Sequence, residues 1–129
     1  MTQALCFHCG ETKFGALCPC PECQSGPTGD IQLDIAFSDH HMSVETIQGF
    51  GRVIKAIRMV CEDDALCFWS FISFVSTHHS DILSVELAPE MSQRCDKVLA
   101  RASPPEVTVE EPEFRRWMRE HKALEDTDP

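Results

Sequence analysis

The sequence predicts an α+β fold, in which a small cysteine-rich module and one following strand precede a bundle of three to four helices. Five of the eight cysteines lie within residues 6–23. Apolar residues alternate over residues 31–37, which is the period of a half-buried strand. From residue 43 onward, apolar residues recur at three- and four-residue steps, which is the period of a helix. A chain of 129 residues, 43% of them hydrophobic, is long enough for one core.

The N-terminal cysteines form two pairs with the same spacing. Cys6 and Cys9 make one Cys-x-x-Cys pair, Cys20 and Cys23 make a second, and ten residues separate the pairs. Two residues between thiolates allow a tight turn to place both sulfurs ~2.3 Å from one metal ion, and a second such turn completes a tetrahedron. Gly10 follows the first pair, where we expect a positive φ that glycine adopts without steric cost.

This arrangement resembles the zinc ribbons, small β modules in which two cysteine knuckles hold one zinc ion. The resemblance covers residues 6–23 only, and it implies that Cys6, Cys9, Cys20 and Cys23 bind one structural Zn²⁺. Four protein thiolates fill the coordination of zinc and leave no position for a catalytic water. Cys18 departs from the ribbon pattern and leaves open a Cys-x4-Cys alternative in which it replaces Cys20.

Two other interpretations of the cluster remain open at this stage. His8 lies inside the first pair and would allow a mixed Cys–His ligand set. A redox dithiol is the second alternative, although a thioredoxin-type pair lies beside a βαβ pattern, which we do not find around these pairs. A structural metal explains the segment better, because bound zinc contributes ~10–16 kcal/mol in comparable peptides that cannot fold alone.

The remaining elements are predicted in order along the chain. Residues 24–30 have the glycines and proline of a linker, and the strand over residues 31–37 follows them. Ser43 occupies the N-cap position of a first long helix. Residues 64–77 are apolar on most sides and predict a buried central helix, and Pro89 predicts the start of another helix that ends near Ala102.

A last helix is predicted in the C-terminal segment, with an apolar stripe formed by Phe114, Trp117, Met118 and His121. We therefore divide the chain into a zinc ribbon with its linker (1–30), a mainly helical core with one leading strand (31–102) and an acidic C-terminal helix and tail (103–129).

The charge of the chain argues against a nucleic-acid partner. The net charge is −10, and residues 1–30, 31–102 and 103–129 are each acidic. Binding a polyanion needs clustered Lys and Arg, and the cysteine-rich segment has Lys13 alone. The most apolar stretch, residues 65–75, is too short to span a bilayer of ~30 Å. With no leader pattern at the N-terminus, we expect a cytoplasmic protein with no membrane partner.

Two further clusters of metal-ligating side chains lie outside the cysteine-rich segment. They are Asp39-His40-His41 and His78-His79-Asp81. If the helices brought both clusters together, they would form a second, hydrolytic metal centre. The alternative is that Asp39 and Ser43 cap the following helix, and that the second histidine pair lies at a helix C-terminus.

The predicted function is a non-catalytic, zinc-stabilised protein-interaction module: an adaptor, regulatory subunit or inhibitor-type partner of another protein. The acidity of the chain favours a partner with a basic surface, because complementary charge accelerates association and selects among partners. The alternative is a small metal-dependent hydrolase that uses the two histidine clusters.

Overall fold

The computed structural model describes residues 2–112 and 117–118 of the chain. Two short strands are followed by four helices, which are β1 (Gln3–Leu5), β2 (Thr12–Phe14), α1 (Ile31–Ala36), α2 (Val44–Val60), α3 (Asp64–His78) and α4 (Pro89–Ala102). The strands form an antiparallel pair with Ala4 opposite Lys13. The predicted α+β class, with its helical bundle after a small N-terminal sheet, is confirmed.

The strand predicted over residues 31–37 is wrong, because most of that segment forms α1. The Asp30 carboxylate accepts a hydrogen bond from the backbone N–H of Leu33 at 3.1 Å and so caps the helix. Leu33 and Phe37 lie one helical turn apart. Phe37 is buried in the core and Leu33 packs against it, whereas Ile31 is 59% exposed. The apparent alternation of apolar residues is therefore one face of a short helix. After the helix ends, Ser38 forms a single antiparallel bridge with Ala4 of β1.

The predicted starts of the longer helices are confirmed. Ser43 accepts a hydrogen bond from the backbone N–H of Thr46 at 3.1 Å and begins α2. Pro89 is the first residue of α4, which ends where Ser103 adopts a left-handed conformation with φ 45°. Helix α3 is the buried central helix, and its inward residues include Phe71 and Val75.

The aromatic core joins the cysteine-rich segment to the helices. The rings of Phe37, Phe50 and Phe71 pack edge-on or tilted, with centroids 5.3–5.9 Å apart. Phe7, between the first two cysteines, packs against Phe37 at 5.2 Å and against Phe71 at 5.7 Å. Leu5 of β1 is also part of this core. The segment that carries the first cysteine pair is thus packed directly onto the helical bundle.

After α4, the chain returns along the N-terminal half of α2. The Thr46 hydroxyl donates to the Thr108 carbonyl at 3.0 Å and accepts from the Glu110 N–H at 2.9 Å, and the Ser43 N–H donates to the Glu110 carbonyl at 3.0 Å. Val107 is buried in the core cluster. Residues 107–110 are therefore fastened to α2.

The C-terminal stripe lies largely outside the described residues, which include neither Phe114 nor His121. Its two described members, Trp117 and Met118, are 53% and 48% exposed. Within the described ranges, no helix combines the length and apolar character needed to cross a bilayer.

Candidate metal centre

Four cysteine side chains converge at one point of the fold. The Sγ atoms of Cys6, Cys9, Cys20 and Cys23 all lie within 4.8 Å of one another. The Cys6–Cys23 and Cys9–Cys20 sulfur pairs are each 3.6 Å apart. Sulfurs bound tetrahedrally to one ion at ~2.3 Å would be ~3.8 Å apart, whereas a disulfide would bring two sulfurs to ~2.05 Å. The four free thiols thus have the spacing of ligands around one metal ion.

The first knuckle is a tight turn closed by its own backbone. The Gly10 N–H donates to the Cys6 carbonyl at 3.0 Å, and the Cys6 N–H donates to the Glu11 carbonyl at 2.9 Å. The Glu11 N–H in turn points at the Cys9 sulfur, 3.5 Å away, where it would stabilise a thiolate. Gly10 has φ 83°, so the positive φ predicted for it is confirmed.

The second knuckle repeats the same turn fourteen residues later. The Gln24 N–H donates to the Cys20 carbonyl at 2.8 Å, and the Cys20 N–H donates to the Ser25 carbonyl at 2.9 Å. Gln24 takes the place of Gly10 and adopts a positive φ of 60°. No positive φ was predicted for Gln24, whose one signal in the sequence is its position directly after Cys23. Two copies of one backbone motif therefore present their thiols to a common point.

Burial and hydrogen bonding set the protonation of the metal-free thiols. Burial raises the pKa of Cys6 and Cys9 above the ordinary value of 9.0. Burial acts in the same direction on Cys23, but hydrogen bonds from Ser25 and contacts with the other two thiols outweigh it and lower the pKa of Cys23 to about 6. At neutral pH the metal-free site therefore holds protonated thiols beside a thiolate, and a bound metal would displace the protons.

Cys18 does not join the cluster and is exposed. Its carbonyl instead accepts a hydrogen bond, at 2.9 Å, from the side-chain ammonium of Lys13 in β2. Lys13 is only 2% exposed, and among the residues that the structure describes it forms no ion pair with a carboxylate. A zinc ion with four thiolates carries net negative charge, so a buried ammonium on the strand between the two cysteine pairs has the sign that favours the metal-loaded state.

His8 points away from the thiols and towards the helices. Its ring Nε2 lies 3.5 Å from the Asp64 carboxylate of α3, and the described metal-ligating group contains cysteines only. Arg58 of α2 donates to the His8 carbonyl at 2.8 Å and to the same Asp64 carboxylate at 2.6 Å. The mixed Cys–His ligand set receives no support, and Arg58 instead ties the first knuckle to α2 and α3.

The two histidine clusters do not build a second metal centre in the described part of the chain. Asp39 accepts a hydrogen bond from the backbone N–H of Gln3 at 3.0 Å, so the expectation that it caps the next helix is wrong. His40 lies 3.4 Å from the Thr2 hydroxyl. Over residues 2–112 and 117–118, the four-cysteine cluster is the one group of three or more ligating side chains close enough to share an ion.

The other histidine pair lies at the C-terminal end of α3, as predicted. His78 is the last residue of the helix and His79 is its C-cap. The His78 ring packs against Phe74 with centroids 4.7 Å apart, and the His79 ring packs edge-on against Phe50 at 5.3 Å. Asp81 follows on the exposed surface. These rings make aromatic contacts and are not grouped around a metal position.

The three remaining cysteines behave as small buried apolar residues. The Cys67 thiol donates to the Cys61 carbonyl at 3.2 Å. Burial raises the pKa of Cys67 to about 12 and also raises that of Cys95. Thiols held in the protonated form are poor nucleophiles, and neither Cys67 nor Cys95 belongs to the described metal-ligating group.

Comparison of the chain with protein-family models, with curated proteins and with solved structures returned no match. Function must therefore be argued from the site itself.

Proposed function

We propose that the chain is a zinc-stabilised, non-catalytic protein-interaction domain that serves as an adaptor, regulatory subunit or inhibitor-type partner of another protein. The observation that carries the proposal is the convergence of four cysteine sulfurs, which all lie within 4.8 Å of one another and include two pairs at 3.6 Å. Four protein sulfurs leave no open position for substrate or water, so the role of the ion is structural.

The position of the cluster supports a structural ion. Leu5 and Phe7 flank Cys6 and are packed in or against the aromatic core of the helices. A metal that closes the two knuckles would therefore also fix the surface on which the helices pack. Soft thiolate ligands in a tetrahedral arrangement select Zn²⁺ or iron, and a redox-inert ion suits a site with no substrate access.

The acidity of the chain favours a protein over nucleic acid as its partner. Residues 14–51 and 59–93 contain no Lys or Arg, so two long stretches of the fold present no cation. Such a surface repels nucleic acid and attracts a basic protein surface. The hydrolase alternative is not supported, since the described residues bring no histidine cluster together as a ligand group.

Metal analysis tests the structural part of the proposal. Protein purified without added metal should carry one zinc per chain by mass spectrometry. His40→Ala should retain this content, and Cys20→Ser should lose it. Iron in place of zinc, or a second metal that disappears in His40→Ala, would contradict a single structural zinc site.

The interaction part needs a separate measurement. Wild-type chain and Cys20→Ser chain, each carrying an introduced photo-cross-linker at the exposed Ser84, should be compared in extracts of the source cells. A specific partner should be recovered by the zinc-loaded chain and depleted by unlabelled competitor. Absence of any competed partner, together with turnover of a hydrolytic substrate that His40→Ala lacks, would contradict a non-catalytic role.

A further inference from the structure

An apolar cleft of about 550 Å³ lies between α1, α3 and residues 82–85, and these three segments form its walls. Its lining includes Leu33 of α1, Trp69 of α3, and Ile82, Leu83 and Val85 of the third wall, residues 82–85. These five side chains pack at the edge of the core and are only partly buried. A contiguous group of partly exposed apolar side chains in a concave surface is the usual form of a binding site.

Hydrogen bonds hold the walls of this cleft in place. The Ser76 hydroxyl of α3 accepts from the Val85 N–H at 2.9 Å and donates to the Val85 carbonyl at 3.2 Å, which fastens the third wall to α3. On the opposite side, the Asp34 carboxylate of α1 accepts from the backbone N–H and the hydroxyl of Thr28 at 3.0–3.2 Å. A cleft whose walls are already fixed loses little conformational entropy when it is filled.

Among the described residues, the walls of the cleft carry acidic side chains and no Lys or Arg. All three walls fall within residues 14–51 and 59–93, which have no Lys or Arg. Asp30 lines the rim, and Asp81 and Glu86 flank the third wall in sequence. This charge repels anionic lipid and nucleic acid. The complementary surface is an apolar stripe bordered by Lys or Arg.

We propose that this cleft binds a basic amphipathic helix of a partner protein. Apolar residues of that helix at i, i+3, i+4 and i+7 would fill the cleft, and its Lys and Arg side chains would face the acidic rim. The inference rests on the proposed function as an interaction domain, and it names the surface and the partner chemistry. The other candidate occupant is the chain's own segment 113–129, in which Arg115, Arg116 and Arg119 lie within two positions of Trp117 in the sequence.

Trp69 provides a direct reporter of binding, because the chain has only two tryptophans and Trp117→Phe leaves Trp69 alone. The full-length, zinc-loaded Trp117→Phe chain is titrated with a synthetic tryptophan-free peptide of Leu and Lys at helical spacing. A matched peptide carries Glu in place of Lys. We expect a saturable change in Trp69 emission with the Lys peptide, weakened by added salt, and none with the Glu peptide.

Two variants locate the bound peptide. Leu83→Arg places a like charge in the cleft and should weaken binding of the Lys peptide at least ~tenfold. Met59→Arg adds the same charge at an 87% exposed position outside the cleft lining and should leave affinity within ~threefold, since added surface charge acts only through screened long-range repulsion. Equal loss in both variants, or equal binding of the Lys and Glu peptides, would overturn the cleft as the site.

A chain that ends after residue 112 tests the intramolecular occupant. If it binds the Lys peptide at least ~tenfold more tightly than the full chain, the C-terminal segment competes for the cleft and the proposed partner helix is overturned as its occupant. Zinc content and circular dichroism of every variant are measured alongside. One zinc per chain without peptide binding overturns the cleft proposal alone, whereas absence of zinc overturns the proposed function.

Discussion

Gly10 of the first knuckle and Gly51 of α2 meet backbone to backbone. A Cβ on Gly51 would overlap the Gly10 carbonyl oxygen, and a Cβ on Gly10 would overlap the Gly51 carbonyl oxygen. Gly10 also needs its positive φ to close the turn after Cys9. The two glycines therefore allow the first cysteine turn to lie directly on a helix, and together with Arg58 they couple the cysteine cluster to the helical core.

We expect Gly51→Ala to lower the free energy of unfolding by on the order of 2 kcal/mol or more, although alanine is the better helix former. The added methyl group would meet backbone atoms of the knuckle, which cannot move without disturbing Cys9. Urea unfolding followed by circular dichroism measures the effect. Gly26→Ala is the matched control, because its Cβ meets nothing within 4 Å. Equal stability of the two variants would show that the contact between knuckle and helix is loose.

Zinc retention should depend on Cys20 and not on Cys18. Cys20→Ser removes a sulfur from the converging group, whereas Cys18→Ser changes an exposed thiol outside it. We expect Cys18→Ser to keep full zinc stoichiometry and Cys20→Ser to fall close to zero after dialysis. Metal analysis of both variants decides the point. The reverse result would assign the second knuckle to Cys18 and Cys23.

Removal of the metal should destabilise the helices as well as the knuckles. Structural zinc contributes ~10–16 kcal/mol in small modules, which is as large as the whole stability of a typical domain. Because Phe7 packs against Phe37 and Phe71, loss of the knuckles would expose the aromatic core. We expect a strong chelator to reduce helical circular dichroism and to lower the melting temperature by tens of degrees. Unchanged helical signal and melting temperature after confirmed zinc removal would contradict this coupling.

Acid should release the metal. The slope of zinc affinity against pH should equal the number of thiol protons that zinc displaces. Because burial raises the pKa of Cys6 and Cys9, both are protonated in the metal-free site at neutral pH, and zinc must displace both protons. Falling pH therefore weakens binding, by roughly tenfold per pH unit for each proton displaced. Cys23, with a pKa of about 6, adds a further proton only as the pH falls through that value. Competition with a chromophoric chelator between pH 6 and pH 8 should give at least two protons per zinc, and a slope below one would contradict the assignment.

Local signals account for the parts of the fold that the sequence predicted. Ser43 and Pro89 mark helix starts through their own backbone chemistry, so no tertiary contact was needed to place α2 and α4. The same holds for the repeated Cys-x-x-Cys spacing, which sets the turn that gathers each pair of thiols. Gln24 was missed because a residue other than glycine gives little warning of a positive φ.

Residues 31–37 show where such signals fail. Six helical residues are too few to separate a period of two from a period of 3.6, and the cap that decides between them is the single side chain of Asp30. The role of Arg58 was beyond sequence analysis for another reason. Its partner carbonyl at His8 lies 50 residues away, and only the packed fold brings the two together.

Two truncations should divide the C-terminal segment into a stabilising part and a dispensable part. Residues 107–110 are fastened to α2 through Thr46 and through burial of Val107 beside Gly49, so a chain that ends after residue 103 should lose thermal stability and expose apolar surface. A chain that ends after residue 112 keeps these contacts and loses Trp117 and Met118, both half-exposed. We expect its melting temperature to stay within a few degrees of the full chain, since half-exposed side chains contribute little burial free energy. Differential scanning calorimetry of the two truncated chains, with zinc content held at one per chain, makes the comparison. Equal and large destabilisation in both would place the apolar stripe of Phe114, Trp117, Met118 and His121 in the core, as an intramolecular helix and not a surface segment.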